Sequence, residues 1–322
     1  MRTIALEEHY GTPELLAATG LDVSWLPGRP DQRLCDLGDD RLRRMDDAGI
    51  DVQVLSAVTP AVQELPADRA IPLAQSLNTE LAESIIAGTP DRFSGFATLP
   101  TGDPEAASRE LERSVRELGL LGAMIHGATG GVFLDDPRYE GLLRTAADLD
   151  VPIYLHPEYP TDTIRTAYYS GLPGSVGPAL ETAGMGWHFE IGLHIVRMIT
   201  QGVFDRIPGL RIIIGHLGEG LPFYSQRLDD FVSALDTDIA HPVSWYLRNH
   251  IWETTSGFFY DGPFTLAAET FGLDRMMFSV DYPFSDNTRA REWFDRLDLS
   301  ETDRAAISHS TAEAVLGLPS TR

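Results

Sequence analysis

The sequence predicts a (β/α)8 barrel, the TIM-barrel fold, for a chain of 322 residues. Eight short apolar or β-branched runs follow one another along the chain, and amphipathic helical patterns lie between most of them. Near-continuous apolar strands that alternate with helices are typical of a parallel sheet covered by helices. A count of eight strands favours a closed barrel over an open, doubly wound sheet.

Each predicted strand is short and bounded by turn residues, and several predicted helices begin near Asp, Thr or Pro and end near Gly. No Gly-x-Gly-x-x-Gly or Gly-x-x-x-x-Gly-Lys motif follows a predicted strand, which argues against the nucleotide sites expected of an open sheet. The predicted strands are residues 3–6, 52–57, 93–99, 122–125, 152–155, 211–214, 251–255 and 275–280. The predicted helices include residues 104–118, 139–149, 187–204, 221–235 and 289–297.

We expect one domain over residues 1–322, interrupted by two insertions at about residues 11–39 and 158–186. Both insertions follow strands, so both should lie on the same face of the barrel. The second is rich in Tyr, Pro and Gly, a composition that favours an ordered lid over a disordered tether. The alternative is that the individual residues of this insertion have no functional role.

The composition narrows the classes of partner. A net charge of −23 opposes binding to nucleic acid and to anionic membranes, so a small molecule or a protein is the expected partner. The basic residues are all arginines, which excludes a lysine Schiff base and a carbamylated lysine that bridges two metals. Cys35 is the single cysteine, which excludes an intrachain disulfide and fits a reducing cytoplasm. The N-terminus lacks a long apolar export segment, so we expect a cytoplasmic location.

Acidic and histidine residues collect at the carboxyl ends of the predicted strands. Glu7 and His9 follow the first strand with an i, i+2 spacing that points both side chains to one face. His156, His216 and Asp281 end the fifth, sixth and eighth strands. Any one of these side chains could simply form hydrogen bonds with the backbone at the end of its strand. Several at the same relative position favour a functional site, because barrel enzymes have their active sites at this face. The mixed nitrogen and oxygen donors therefore predict one divalent cation, with Zn²⁺ or Mn²⁺ favoured.

Glu219 lies three residues after His216, where strand gives way to helix. A hydrogen bond between the two would fix the imidazole tautomer, and the alternative is a first-turn carboxylate that interacts with the helix dipole. His126 lies after the fourth strand and is a candidate substrate contact. The remaining histidines are interpreted as structural or surface residues: His188, His194, His241, His250 and His309.

Five segments also carry a resemblance to a known family. Together and in this order, they are similar to the metal-dependent decarboxylases of the amidohydrolase superfamily, a family of TIM barrels. The Glu-x-His form after the first strand points to the γ-resorcylate (2,6-dihydroxybenzoate) and 2,3-dihydroxybenzoate decarboxylase group. The segments are Ala5-Leu6-Glu7-Glu8-His9, Tyr154-Leu155-His156-Pro157, Gly215-His216-Leu217-Gly218-Glu219-Gly220-Leu221-Pro222, Thr254-Thr255-Ser256-Gly257 and Phe278-Ser279-Val280-Asp281-Tyr282-Pro283-Phe284.

The resemblance implies a fold of the metal-dependent hydrolase type and a set of residue roles. His216 and Glu219 would form a catalytic pair supported by Arg227 on the following helix. Glu8 matches the motif, but its side chain would point away from the mouth of the barrel. The implied metal ligands are Glu7, His9, His156 and Asp281.

The implied reaction replaces a carboxylate on an ortho-hydroxylated aromatic ring by a proton. The metal would bind the substrate's carboxylate and ortho-hydroxyl, and Asp281 would donate the proton. An anionic aromatic substrate needs positive charge in a strongly acidic protein, and Arg165 and Arg227 are the candidates besides the metal. Trp187 and Tyr159 could stack on the ring.

An alternative function is a mononuclear metal-dependent hydrolase of a lactone, an amide or a related carbonyl compound, with Asp281 or His216 as the base. The chain departs from the dihydroxybenzoate group at His126 and across residues 161–177, which leaves the ring substituents open. The resemblance also implies a homodimer or a homotetramer.

Overall fold

In a computed structural model that describes residues 1–24, 26 and 28–320, the chain alternates strand and helix as the sequence predicts. Trp25 and Pro27 of the first insertion, and Thr321 and Arg322, lie outside the described residues. Within the described part, the strands are β1 Ile4–Tyr10, β2 Val52–Ala57, β3 Phe93–Gly95, β4 Ala97–Thr98, β5 Ala123–His126, β6 Ile153–His156, β7 Ile212–Ile214, β8 Ile251–Thr254 and β9 Met276–Met277.

All strand pairs are parallel, and the strands follow chain order, β1 to β3 in one sheet and β4 to β9 in another. A backbone hydrogen bond from Phe96 to Leu55 joins the two sheets at one junction. At the other, a single bridge pairs Glu8 with Tyr282, and the Glu8 carboxylate accepts a hydrogen bond from the Val280 N–H. Glu8 therefore ties the last strand to the first and does not serve the mouth of the barrel.

The helices surround the strands and begin where the sequence supplies caps. Asp103 caps α4 through the Ala106 N–H, and a proline occupies its first turn. Within the described residues, the helices are α1 Pro13–Thr19, α2 Asp39–Asp47, α3 Ala67–Glu80, α4 Pro104–Arg116, α5 Glu140–Asp148, α6 Asp162–Ile164, α7 Val176–Glu181, α8 Gly186–Thr200, α9 Val203–Arg206, α10 Leu221–Val232, α11 Val243–His250, α12 Asp261–Phe271, α13 Asn287–Arg296, α14 Glu301–Ala305 and α15 Thr311–Leu316. Shorter 3-10 turns span Pro30–Gln32, Pro137–Tyr139 and Leu273–Arg275, and π turns span Leu81–Ile86, Arg165–Tyr169 and Ala306–Ser310.

The first strand is longer than predicted and carries the first two site residues within it. Ile4 and Leu6 pack inside the barrel, and the pairing register with β2 shifts between Ala5 and Glu8. Such an irregularity redirects the side chains that follow it. It allows Glu7 and His9 to face the mouth of the barrel, although simple alternation from Leu6 would turn Glu7 to the other side.

Both predicted insertions contain ordered structure. The first holds α1 and the 3-10 turn Pro30–Gln32, and the second holds α6, a π turn and α7. Among the helices that the structure describes, none has both the length and the apolar character required to cross a bilayer.

Candidate metal centre and cavity

The Glu7 carboxylate is the centre of the candidate site. Its Oε2 accepts hydrogen bonds from the hydroxyl of Tyr154 and from Ser256 Oγ, the latter at 2.5 Å. Thr254 Oγ1 lies 2.8 Å from the Tyr154 hydroxyl and completes this group of hydroxyls. Glu7 Oε1 is buried and accepts no hydrogen bond from any described residue. The hydroxyls therefore fix one oxygen and leave the other free to bind a ligand.

Histidine nitrogens and a second carboxylate surround that free oxygen. Glu7 Oε1 lies 3.2 Å from His156 Nε2, 3.5 Å from His216 Nε2 and 3.9 Å from His9 Nε2. His9 Nε2 lies 3.3 Å from Asp281 Oδ1. The structure thus brings together the four side chains that the resemblance implies as metal ligands.

The separations and the tautomers fit a bound cation. Two donors on a tetrahedral ion with bonds of about 2.0 to 2.1 Å are roughly 3.3 Å apart, close to the 3.2 Å and 3.3 Å measured here. His156 Nδ1 lies 2.6 Å from the Pro157 carbonyl, and a hydrogen bond donated there would direct Nε2 towards a bound cation. His156 Nε2 and Glu7 Oε1 face one another, so both atoms could bind the same ion.

The electrostatics of the carboxylates differ within the site. Burial acts to raise the pKa of Glu7, but the His216 and His156 rings outweigh it and hold the pKa below its usual value. Burial and the negative charge of Glu7 instead hold the pKa of Asp281 well above its usual value. The pKa values of the two carboxyl groups at this site are therefore displaced in opposite directions.

A left-handed turn carries His216 and Glu219. Five consecutive residues, 216 to 220, have φ between 55° and 86°, a conformation that costs L residues about 1 to 2 kcal/mol each. Gly218 has the largest of these φ values, and a Cβ there would lie 2.5 Å from Phe271. The turn places His216 Nδ1 2.7 Å from Glu219 Oε1, the hydrogen bond predicted from the sequence.

His188, interpreted from the sequence as structural or surface, lies in this site. Its Nδ1 is 2.5 Å from Glu219 Oε2, and its ring centroid is 4.7 Å from that of His216. The only available signal was its position next to Trp187 at the start of a helix that follows the second insertion. His194, one of the other histidines of that group, is a structural residue whose Nε2 accepts a hydrogen bond from the Leu134 N–H.

A cavity of about 270 Å³ lies beside these residues, with His156, His216 and Asp281 on its wall. The first insertion contributes apolar side chains to the lining, including Leu21 and Val23. Phe258 and Phe284 add aromatic surface. The lining therefore combines ionisable groups with apolar and aromatic side chains, as small-molecule sites commonly do.

Two of the predicted substrate contacts line this cavity. Trp187 and Tyr159 lie on its wall with their ring centroids 6.3 Å apart. The indole N–H of Trp187 is buried and has no hydrogen-bond partner among the described residues. Both are therefore available to contact a ligand.

The other two predicted substrate contacts, and the predicted supporting residue Arg227, lie elsewhere. His126 is buried, and its Nδ1 lies 3.1 Å from His156 Nδ1. It therefore contacts His156, a predicted metal ligand, and does not line the cavity. Arg165 is paired with Glu181 at 2.9 Å, which neutralises its charge outside the cavity wall. Arg227 is exposed on α10 and lies over the ring of Phe231 at 3.8 Å, so within the described chain it does not support His216 and Glu219.

This barrel, with a His, Glu and Asp cluster at its mouth, belongs to the amidohydrolase family, whose model matches residues 21–318. The chain is 38% identical to the γ-resorcylate decarboxylase of Rhodococcus jostii (strain RHA1), over 98% of each chain. It is also 38% identical to the decarboxylase orsB of Emericella nidulans, over 97% of this chain and 96% of that protein.

A solved structure with the same fold is the dihydroxybenzoic acid decarboxylase of Polaromonas sp. JS666, determined with bound manganese and the inhibitor 2-nitroresorcinol. It superposes with a TM-score of 0.90 at 36% identity, and the match covers 99% of this chain and 98% of that one. The resemblance found in the sequence is therefore confirmed at the level of the family and the fold.

Proposed function

We propose that this protein is a metal-dependent, non-oxidative decarboxylase of an ortho-hydroxylated aromatic carboxylic acid. The observation that carries the proposal is Glu7 Oε1, which has no hydrogen-bond partner among the described residues and faces three histidine nitrogens beside a cavity lined in part by apolar and aromatic side chains. The names of the relatives from Rhodococcus and Polaromonas support the same reaction class.

One divalent cation, Mn²⁺ or Zn²⁺, would be held by Glu7, His9, His156 and Asp281. Bound there, it would supply a Lewis acid for the carboxylate and the adjacent hydroxyl of the substrate. Manganese is supported by the Polaromonas structure, and the mixed nitrogen and oxygen donors suit either ion. The His126 ring, in contact with His156, would help to orient that ligand.

The proton that replaces the carboxylate would come from Asp281, which lines the cavity. Its proton adds to the ring carbon that bears the carboxylate, and the bond from that carbon to the carboxylate then breaks. Carbon dioxide leaves, and the bonding electron pair restores the aromatic ring. Burial acts to lower the pKa of His216, but Glu219 and Glu7 raise it to about 10. With its Nε2 4.0 Å from Asp281 Oδ2, His216 is placed to return a proton to Asp281.

The rest of the cavity would hold the ring. Trp187 and Tyr159 pack against its faces or edges, and the apolar side chains of the first insertion exclude water from it. The described residues that line the cavity include no arginine. Positive charge for the anionic substrate would therefore come from the metal and the histidine rings, and Arg165 and Arg227 have no direct part in it.

The quaternary and cellular setting form a second part of the proposal. We propose a single domain over residues 1–322 that forms a homodimer or a homotetramer in the cytoplasm, without nucleic acid or membrane partners. The exposed side chains of Phe189 and Leu193 on α8, and of Phe223 and Phe231 on α10, support association between copies. The net charge of −23 supports the absence of nucleic acid. Light scattering during size-exclusion chromatography tests the oligomeric state.

The test of the reaction is a panel of hydroxybenzoates supplied to the Mn²⁺-loaded and the Zn²⁺-loaded protein. We expect carbon dioxide and the corresponding phenol from at least one ortho-hydroxylated acid, and no turnover of the isomers that lack the ortho-hydroxyl. In D2O, one deuterium should appear on the ring carbon that carried the carboxylate. Absence of carbon dioxide across the panel would refute the proposal.

The matched variant is Asp281→Asn, which keeps the size of the side chain but carries no acidic proton. We expect it to fold and to lose turnover, and a rate equal to the unchanged protein would remove Asp281 from its assigned role. The alternative hydrolase predicts ¹⁸O from labelled water in the product instead of deuterium on a ring carbon. The two labels therefore separate the two functions in one experiment.

A further inference from the structure

His188 lies in the first turn of α8, between the catalytic pair and the end of the second insertion. Its Nδ1 is 2.5 Å from Glu219 Oε2, and its Nε2 is 3.2 Å from the carbonyl oxygen of Ala183. Ala183 and His188 both line the cavity. One imidazole ring thus contacts the partner of His216 and the segment that forms one cavity wall.

Both ring nitrogens of His188 face oxygens that can only accept hydrogen bonds. His216 Nδ1 lies 2.7 Å from the other oxygen of Glu219. Each oxygen of this carboxylate therefore accepts one hydrogen bond, from a different histidine.

Glu219 is fully buried and depends on these two rings. Among the described residues, its carboxylate oxygens accept hydrogen bonds from His188 and His216 alone. Without His188, Oε2 would be a buried acceptor with no partner, which favours rotation of the carboxylate. Burial acts to raise the pKa of Glu219, but His216 and His188 hold it below its usual value.

We propose that His188 is a positioning residue that holds the Glu219 carboxylate, orients His216 through it, and couples the Ala183 end of the second insertion to the pair. The step from His216 to catalysis rests on the proposed decarboxylase function. The hydrogen-bonded arrangement of the three side chains does not depend on that function.

The same three residues offer donor atoms within 4.8 Å of one another, so a second cation is a competing interpretation. Donors that share an ion with bonds of about 2.0 to 2.1 Å lie roughly 3.3 Å apart. The nitrogen to oxygen distances here are 2.5 Å and 2.7 Å, which are those of charge-assisted hydrogen bonds. The geometry favours the hydrogen bonds.

Three substitutions at one position separate the two contacts of His188. His188→Asn keeps an N–H close to the position of Nδ1 and so retains the bond to Glu219. His188→Gln keeps an N–H close to the position of Nε2 and retains the bond to Ala183. His188→Leu removes both while filling similar space. The control is Phe189→Leu, an exposed neighbour on the same helix turn.

We expect His188→Leu and His188→Gln to lower kcat by roughly 10- to 100-fold with KM changed by no more than about twofold. His188→Asn should restore most of kcat, and Phe189→Leu should leave both constants unchanged. Equal losses in the Asn and Leu variants, a wild-type kcat in the Leu variant, or a change confined to KM would each overturn the proposal.

Proton NMR of the protein without substrate gives a second readout. Two strongly deshielded imidazole N–H signals are expected, from His188 and His216. His188→Asn should lose one signal and leave the other in place, whereas His188→Gln should also shift the survivor. If the remaining N–H signal in the His188→Gln variant did not shift, the proposal would be overturned. It would also be overturned if metal analysis showed that the His188 variants bind one equivalent of metal less than the unchanged protein. Because this experiment needs no turnover, failure of the decarboxylase assay would not prevent the test.

Discussion

Two buried glutamates in this barrel have opposite electrostatic environments. Glu7, at the mouth, is surrounded by histidines, whereas Glu253 on β8 lies in register with Ile214 and Met276 in the apolar layer between strands and helices. Neither oxygen of Glu253 has a hydrogen-bond partner among the described residues. Burial holds the pKa of Glu253 well above its usual value, while His216 and His156 outweigh burial at Glu7 and lower its pKa.

The comparison teaches that burial alone does not determine the charge of a carboxyl group. Imidazole rings lower the pKa of Glu7 although it is buried, whereas Glu253 has no such neighbour among the described residues and burial raises its pKa. A site that binds a cation needs the first environment. The second contributes nothing to the site and lowers the stability of the fold.

The largest expected effect follows from Glu7→Gln, which keeps the shape of the side chain and removes its charge. We expect turnover to fall by more than about 100-fold, because loss of a ligand exceeds the 10- to 100-fold effects of residues that merely support ligands. Bound metal should also fall well below one equivalent. Glu253→Gln is the control and should retain both metal and turnover. A Glu7→Gln protein that keeps a full equivalent of metal would contradict the assignment.

A smaller effect is expected from Tyr154→Phe, which removes the hydroxyl on Glu7 Oε2 and leaves Ser256 as its partner. Metal affinity should weaken by roughly 10- to 100-fold, because the carboxylate is less firmly oriented. Titration with Mn²⁺ in the presence of a competing chelator measures this change. Tyr139→Phe is the control, since that buried hydroxyl donates to the Thr101 carbonyl away from the site. Equal affinities in the two variants would show that the hydroxyl does not orient Glu7.

The smallest effect concerns Glu253→Met, a replacement of similar volume without polar atoms. We expect the free energy of unfolding to rise by about 1 to 3 kcal/mol, the cost of an unsatisfied buried polar group. Because the folded state holds the Glu253 proton more tightly than the unfolded state, stability is lost as pH rises from about 4.3 towards the raised pKa. The advantage of the variant should therefore grow over that interval. Urea unfolding at pH 4 and pH 7 measures it, and an advantage that shrinks as pH rises would contradict the raised pKa of Glu253.

The sequence located most of the fold because hydrophobic periodicity survives in a single chain. The second predicted strand, residues 52–57, coincides with β2, and the helix predicted over residues 221–235 begins at Leu221 as observed. The irregular register in β1 was not predictable, because a bulge depends on pairing with β2 and leaves no periodic signal. The eighth predicted strand, residues 275–280, is shorter as a paired strand, Met276–Met277, because Phe278 donates its N–H to Ile307 of the turn before α15.

The candidate site was predictable where residues lie at strand ends, and less so where they lie on helices or loops. Glu7, His9, His156 and Asp281 meet because parallel strands end together, although their role as ligands remains a prediction. The position of His188 depends on how α8 packs against the turn that carries Glu219, which a local pattern does not encode. The ion pair between Arg165 and Glu181 likewise depends on how the second insertion folds, which a local sequence pattern does not encode.

The left-handed turn at residues 216 to 220 and the glycine before it tolerate fewer substitutions than the cavity lining of the first insertion. A new side chain at Gly218 would collide with Phe271, and a Cβ at Gly215 would lie 2.5 Å from Glu7 Oε2. Selection for a new substrate would therefore leave that segment untouched and act on the residues that the first insertion presents to the cavity, such as Leu21 and Val23. A library restricted to these residues would vary the cavity lining while Glu7, His9, His156 and Asp281 stay in place.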